Sequence, residues 1–125
     1  MVQLDQMGRP AINTVFNNQT HEKFDRDAFN RTQPSEMVAN GYRDHAEDVL
    51  GALGAADPAG LAAVLFPDVL TYQTGNHAGF LNGRRVANDV IDAELGLVTN
   101  NAITTDCIGS DSAFPGMWPY LAPAN

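Results

Sequence analysis

Apolar residues recur at helical spacing in one stretch above all others, Tyr42 to Leu53. Tyr42, Ala46, Val49, Leu50 and Leu53 share one face there, while Arg43, Asp44, Glu47 and Asp48 take the opposite one. Arg43 and Glu47 are i,i+4 partners, an arrangement that adds a few tenths of a kcal/mol to a helix. Gly54 supplies the left-handed residue that ends it. Asp57-Pro58 then opens a second helix, with a side-chain acceptor at the N-cap and proline at the first helical position. Leu61, Val64 and Leu65 give this helix an apolar face, and Pro67 ends it. The short connection makes the two a helical hairpin. A longer helix is predicted from about Arg84 to Val98, with Ala87, Val90, Ile91, Leu95 and Val98 on its buried side and Asn100-Asn101 as its stop.

Elsewhere the pattern is weaker. Residues 1–40 are polar and irregular. Ala11 to Phe16 reads as a short extended segment, since Arg9-Pro10 ahead of it disfavours a helix. Asp25 to Arg31 suits one or two helical turns with Phe24, Ala28 and Phe29 on one side, and Gln33-Pro34-Ser35-Glu36 turns into another short helix. Val69 to Thr74 is β-prone, and Gly75 to Gly83 is a loop containing His77 and Phe80. From Thr104 onward Gly109, Pro115, Gly116, Pro119 and Pro123 forbid regular structure. That same tail carries Phe114, Met117, Trp118, Tyr120 and Leu121, which call for burial, either as a strap over the protein's own helices or against a partner. The expected architecture is one α+β domain, predominantly helical, with short extended segments and high loop content. It divides into an N-terminal arm (1–40), a helical core (41–100) and an aromatic, proline-rich tail (101–125).

Length and charge narrow the function. A chain of 125 residues with 44% apolar and 18% charged residues has the composition of a single globular domain. Fifteen acids oppose seven bases, for a net charge of −8. No base follows Arg85, whereas Asp89, Asp92, Glu94, Asp106 and Asp111 do. Such a surface repels phosphate backbones, so nucleic acid is excluded as a partner. No apolar run has the length of a membrane span, so direct membrane insertion is not expected. Cys107 stands alone, which removes an intramolecular disulfide and the cysteine spacing of a zinc site.

Candidate chemistry gathers around the third helix. Arg84 and Arg85 at a helix start would oppose its dipole at a cost of roughly 0.3–1 kcal/mol. They call for ion pairing, with Arg85 to Asp89, Arg84 towards Asn88, or either arginine to Asp25 or Asp27, or else for an anion site. Asp89 and Asp92, at i,i+3, share a helix face and either pair with these arginines or hold a hard cation. Thr104 to Ser112 is rich in oxygen ligands, and Asp106 and Asp111 are its metal candidates, with calcium as the fitting ion. The stretch lacks the residue order of an EF-hand loop and equally suits ordinary turns. His21, His45 and His77 share no zinc spacing, and His45 reads as a surface residue beside Asp44 and Asp48. Cys107 beside Asp106 is a poor nucleophile. Asn18-Gln19-Thr20 and Asn30-Arg31-Thr32 are formal glycosylation sequons that read as chance matches.

Met7 to Phe16, Asp27-Ala28-Phe29-Asn30, Ala78 to Arg85 with the helix through Leu95, and Pro119-Tyr120-Leu121-Ala122 together resemble the C-terminal part of the domain-of-unknown-function 4331 family. The Asn82-Gly83-Arg84-Arg85 segment running into an Asp-rich helix is the specific part of the likeness. Asn88 and Leu81 depart from it, where the family pattern often has Asp and Pro. The resemblance implies a bacterial, usually exported protein, longer than this chain and with a β-rich half ahead of the region seen here. It therefore implies a periplasmic or extracellular location, although Met1 to Gln6 has neither the basic nor the apolar region of a signal peptide and a cytoplasmic location stays open. It implies no reaction and no catalytic residues. With no catalytic constellation visible, the expectation is a non-catalytic structural or binding module. That module is a subunit of a larger protein assembly or a remnant of a longer exported protein, with no cofactor. The alternative is a calcium-binding or metal-dependent hydrolytic domain using Asp89, Asp92, Asp106 and Asp111.

Overall fold

A computed structural model describes residues 2–17 and 22–123. Six α-helices follow in order: α1 (Ile12–Phe16), α2 (Arg26–Arg31), α3 (Pro34–Met37), α4 (Tyr42–Ala52), α5 (Pro58–Leu65) and α6 (Val90–Val98), with a 3-10 turn at Glu22–Phe24. His21 and the Asn18 sequon lie outside the described residues.

The hairpin forms as its sequence demands. α4 presents Tyr42, Ala46 and Leu50 to the core, and Gly54 takes the left-handed conformation (φ 83°) that lets the chain reverse. Asp57 caps α5 by accepting the Gly60 amide, and Pro58 occupies the first turn. α2 starts at an equally clear signal, the Asp25 carboxylate accepting the Ala28 amide at 2.6 Å. The core lies between this hairpin and the N-terminal helices and contains Ile12, Phe16, Phe29, Met37, Tyr42, Leu50, Leu65 and Phe66. Its aromatic rings meet edge to face: Phe16 with Phe66 and Phe29 with Tyr42, each pair at 5.6 Å between centroids. His45, expected at the surface, is half-buried. It stacks on Phe24 at 4.2 Å and its Nε2 lies 2.7 Å from the Phe16 carbonyl oxygen.

The fold is not α+β. Among the described residues helices take about 38% and bridge residues 2%, and no sheet forms. The only β contact there is an isolated bridge between Gly79 and Asn82. Val69 to Thr74 runs without regular structure because no second strand is offered to it. The Asn82 side chain takes the Gln73 amide instead, and the Thr71 carbonyl accepts the Gly83 amide. Ala11 to Phe16, expected to be extended, contains α1. Proline restricts the residue before it, Arg9, and not those after; Ala11 takes a left-handed turn (φ 63°) and the helix begins.

The third helix is also shorter than its periodicity implies. It starts at Val90, because the Asp89 side chain accepts the Asp92 amide and fixes the N-cap there. Upstream, the Asn88 side chain accepts the Arg85 and Phe80 amides and holds residues 85–88 in a turn. Asn100 and Asn101, both left-handed, end α6 as expected. α6 packs at the edge of the core through Val98, with Val90 buried and Ile91 and Leu95 half-covered.

The segment ahead of α1 is tied to the turn after α5 at Asp68. Asp68, fully buried just after α5, accepts the Gly8 amide at 3.0 Å and the Arg9 amide at 2.8 Å. Gln6 donates to the Asp68 carbonyl, and the Arg9 guanidinium donates to the Leu65 carbonyl. The approach needs a glycine: a Cβ on Gly8 would lie 2.6 Å from the Asp68 carbonyl carbon and 2.7 Å from the Val69 Cα. Large apolar side chains are exposed near both ends of the described chain. Val2, Leu4 and Met7 are exposed, and so are Ile103, Ile108, Phe114, Met117, Trp118, Tyr120 and Leu121. No described helix is long and apolar enough to cross a membrane.

Candidate functional site

The first turn of α6 and the root of the tail meet in a cluster of acids. Asp89 is the N-cap, which places its carboxylate at the helix start. Asp92, one turn on, accepts the Asp106 amide at 2.7 Å and so pulls the returning chain against the helix. Asp106 accepts the Ile108 amide, and Thr105 accepts the Cys107 amide, which closes a tight turn around the left-handed Cys107. One carboxylate oxygen from each of Asp89, Asp92 and Asp106 lies within 4.8 Å of the others. Asp89 and Asp106 are exposed and Asp92 half-buried.

An open depression of about 330 Å³ adjoins the cluster, with Arg84, Val86, Asp89, Asp106, Ile108 and Ser110 in its wall. Of the residues singled out in sequence, it brings Arg84, Asp89 and Asp106 to one surface, with Asp92 behind them. Asp111 is not in the acidic cluster but lies further along the tail, beside Phe114 and Leu121. Arg84 and Arg85 sit before the helix and are exposed, so they do not occupy its first turn and do not oppose its dipole there. Neither makes an ion pair within 4.0 Å among the described residues. Asp25 and Asp27 are engaged elsewhere, Asp25 as the α2 cap and Asp27 with Arg31. Arg43 contacts Asp44 rather than Glu47. His77 and Cys107 are exposed and join no metal-holding group among the described residues.

Three carboxylates around one point suit a hard cation, with water completing the shell, or a basic side chain. They do not resemble an acid–base pair, which calls for one carboxyl in an apolar wall and a cleft for substrate. The most apolar hollow, between α1 and α6, measures about 50 Å³. That is about a third of the ~150 Å³ cavity that admits a benzene ring.

A second charged group escaped the sequence reading. Arg9, Asp68 and Glu94 are all buried. Burial pushes the Glu94 carboxyl up to about 7, and Asp68 adds to the push, while Arg9 and Arg84 act against it. Burial raises Asp68 as well, opposed by the amides of Gly8 and Arg9. Arg9 is lowered by burial, opposed by the two acids. Both buried carboxylates feel the charge of the one buried guanidinium without an ion pair to it within 4.0 Å, and Glu94 Oε1 and Arg9 Nε find no hydrogen-bond partner among the described residues. The signal for Glu94 was present: it interrupts the apolar stripe of Val90, Ile91, Leu95 and Val98.

No protein-family model, curated protein or solved structure matches the chain.

Glu94 makes stability depend on pH. In the unfolded chain a glutamate releases its proton near 4.5, and in the fold near 7. Between these values the native state keeps a proton that the unfolded state has lost. Stability therefore falls as pH rises through that window and levels off above it, by about 3 kcal/mol from this group alone. Urea unfolding across the window is expected to show the fall in the wild type and a much flatter profile in Glu94→Gln. A wild-type profile that rises with pH would contradict it.

Proposed function

We propose that the chain is a non-catalytic binding module that docks on another polypeptide through its tail. The observation that carries this reading is the exposure of large apolar side chains in a segment with no charge. Trp118 is 84% exposed, Met117 79% and Leu121 58%, and Ser112 to Pro123 contains no acid or base. Exposed apolar residues scattered singly are ordinary, but a run of them with two aromatics is the composition of an interface core. Trp118 and Tyr120 meet edge to face at 6.2 Å, so the segment carries its own local order. The same tail is rooted firmly at α6 through Asp92 and through Thr99, whose hydroxyl accepts the Ile103 amide. A rooted segment offers a partner its anchors at a lower entropic cost than a free one.

A second reading rests on the acidic triad. Asp89, Asp92 and Asp106 would bind a divalent cation and clamp the tail root to α6. An exposed site with three carboxylates is expected to take calcium at about 0.1–1 mM. Calorimetric titration with calcium chloride is expected to show this in the wild type and not in Asp92→Asn. Equal heats from both proteins would remove the reading.

For the docking reading, the variant Met117→Ser/Trp118→Ser/Leu121→Ser is expected to unfold within about 0.5 kcal/mol of the wild type, as exposed positions do. Wild type purified from its native cells should run above its monomer mass by size exclusion with light scattering, and the triple variant as a monomer. A wild type that is a stable monomer with no copurifying protein contradicts the reading. So does a triple variant destabilised by several kcal/mol, which would show that the tail straps the protein's own core.

A further inference from the structure

We propose that α6 is a lid: it leaves the core as one unit, swinging on the loop 69–89, and uncovers the apolar wall of Ile12, Phe16 and Leu65 while the rest of the fold stays intact. α6 is held by apolar contact. Val90 is buried, Val98 packs against the core, and Ile91 and Leu95 are half-covered. No hydrogen bond or ion pair joins α6 to α1 or α5, the helices it leans on, among the described residues. The hollow of about 50 Å³ lies beneath it, with Ile12, Phe16 and Leu65 on one side and Ile91, Leu95 and Val98 on the other. Side chains around a hollow lose the dispersion contacts that a filled core makes.

Glu94 weakens the closed form further. It is 8% exposed, and its Oε1 has no hydrogen-bond partner among the described residues. Arg9 attracts it without an ion pair within 4.0 Å, and Asp68 repels it. Opening returns this carboxyl to water, which lowers the cost of leaving. α4 is placed differently, with Tyr42, Ala46 and Leu50 all buried in the core. The loop 69–89 contains no helix and no strand, so it can turn without breaking either. The root of the tail travels with α6, because the Asp106 amide donates to Asp92. A helix of nine residues is barely stable away from a core, so its amides exchange once it leaves.

Amide exchange of the purified chain, followed across low concentrations of urea, tests the lid. The amides of Glu94, Leu95, Leu97 and Val98 are expected to exchange through one shared opening, at least about tenfold more often than that of Leu50. They should respond little to urea, because the opening exposes little surface. Ala46→Gly loosens α4, which is the same in the open and closed forms. It is expected to speed exchange at Leu50 about fivefold and to leave Leu95 unchanged. Equal speeding at both positions, or a urea response as steep at Leu95 as at Leu50, would show that α6 leaves only when the whole protein unfolds and would overturn the lid. The urea response is read on the wild type, so it decides the question even if Ala46→Gly does not fold. Rates that climb steadily toward Val98 would show fraying from one end, and unprotected rates throughout would show a helix that never docks; either overturns the lid.

Discussion

A single buried carboxylate joins the two halves of the core. Asp68 has lost its water, which is costly for a charged group, and the Gly8 and Arg9 amides and the Arg9 guanidinium offset that loss. Its backbone amide also meets the Met37 sulfur at the end of α3. One residue thus touches the arm, α3 and the turn after α5. The consequence is structural. α1 begins four residues after Gly8, and its Ile12 and Phe16 form one wall of the core against Phe66. Without the latch the approach to α1 is held less firmly, which loosens the contact of Phe16 with Phe66 while that of Phe29 with Phe66 remains. Gly8 makes the close approach sterically available, and Glu94 on α6 extends the charge cluster from the other side.

How much of this was legible follows from the range of each interaction. The α4–α5 hairpin was readable because its signals are local: an apolar face at helical spacing, Gly54 to reverse, Asp57 and Pro58 to restart. α2 and the stop at Asn100 were readable for the same reason. α1 departs from the extended segment expected there because a proline restricts the residue ahead of it and leaves those after it free to turn into a helix. Val69 to Thr74 has strand propensity, but a strand needs a partner, and Asn82 takes its amide first. The start of α6 was misplaced because two acceptors compete within eight residues, and Asn88 and Asp89 prevail over the periodicity that runs through Arg84. Spacing alone pairs Asp89 with Asp92. The arrival of Asp106 depends on where the chain returns after Asn101, which no local pattern encodes. The latch was invisible for the same reason, since Gly8 and Asp68 are sixty residues apart. Even so, a lone acid among Leu65, Phe66, Val69 and Leu70 was a signal that something must satisfy it.

The molecule is therefore built unevenly. Residues up to Leu65 surround a shared core, and α6 leans against its edge. Past Thr99 most backbone amides that find a partner donate to side-chain oxygens or to a carbonyl a few residues back, and the large apolar groups face solvent. That unevenness fits a body that positions a docking segment better than it fits a body that encloses a substrate. The acidic triad stands at the boundary between the two, where it fixes the direction in which the tail leaves.

Amide hydrogen exchange on the purified chain tests this division most directly, residue by residue. The Gly8 and Arg9 amides should be protected to the level of Leu50 in the middle of α4, and Gly8→Ala should strip that protection from both. The amides of Met117, Trp118 and Leu121 should exchange at close to unprotected rates. Gly8 and Arg9 exchanging as fast as the tail, or a tail protected like α4, would contradict the account.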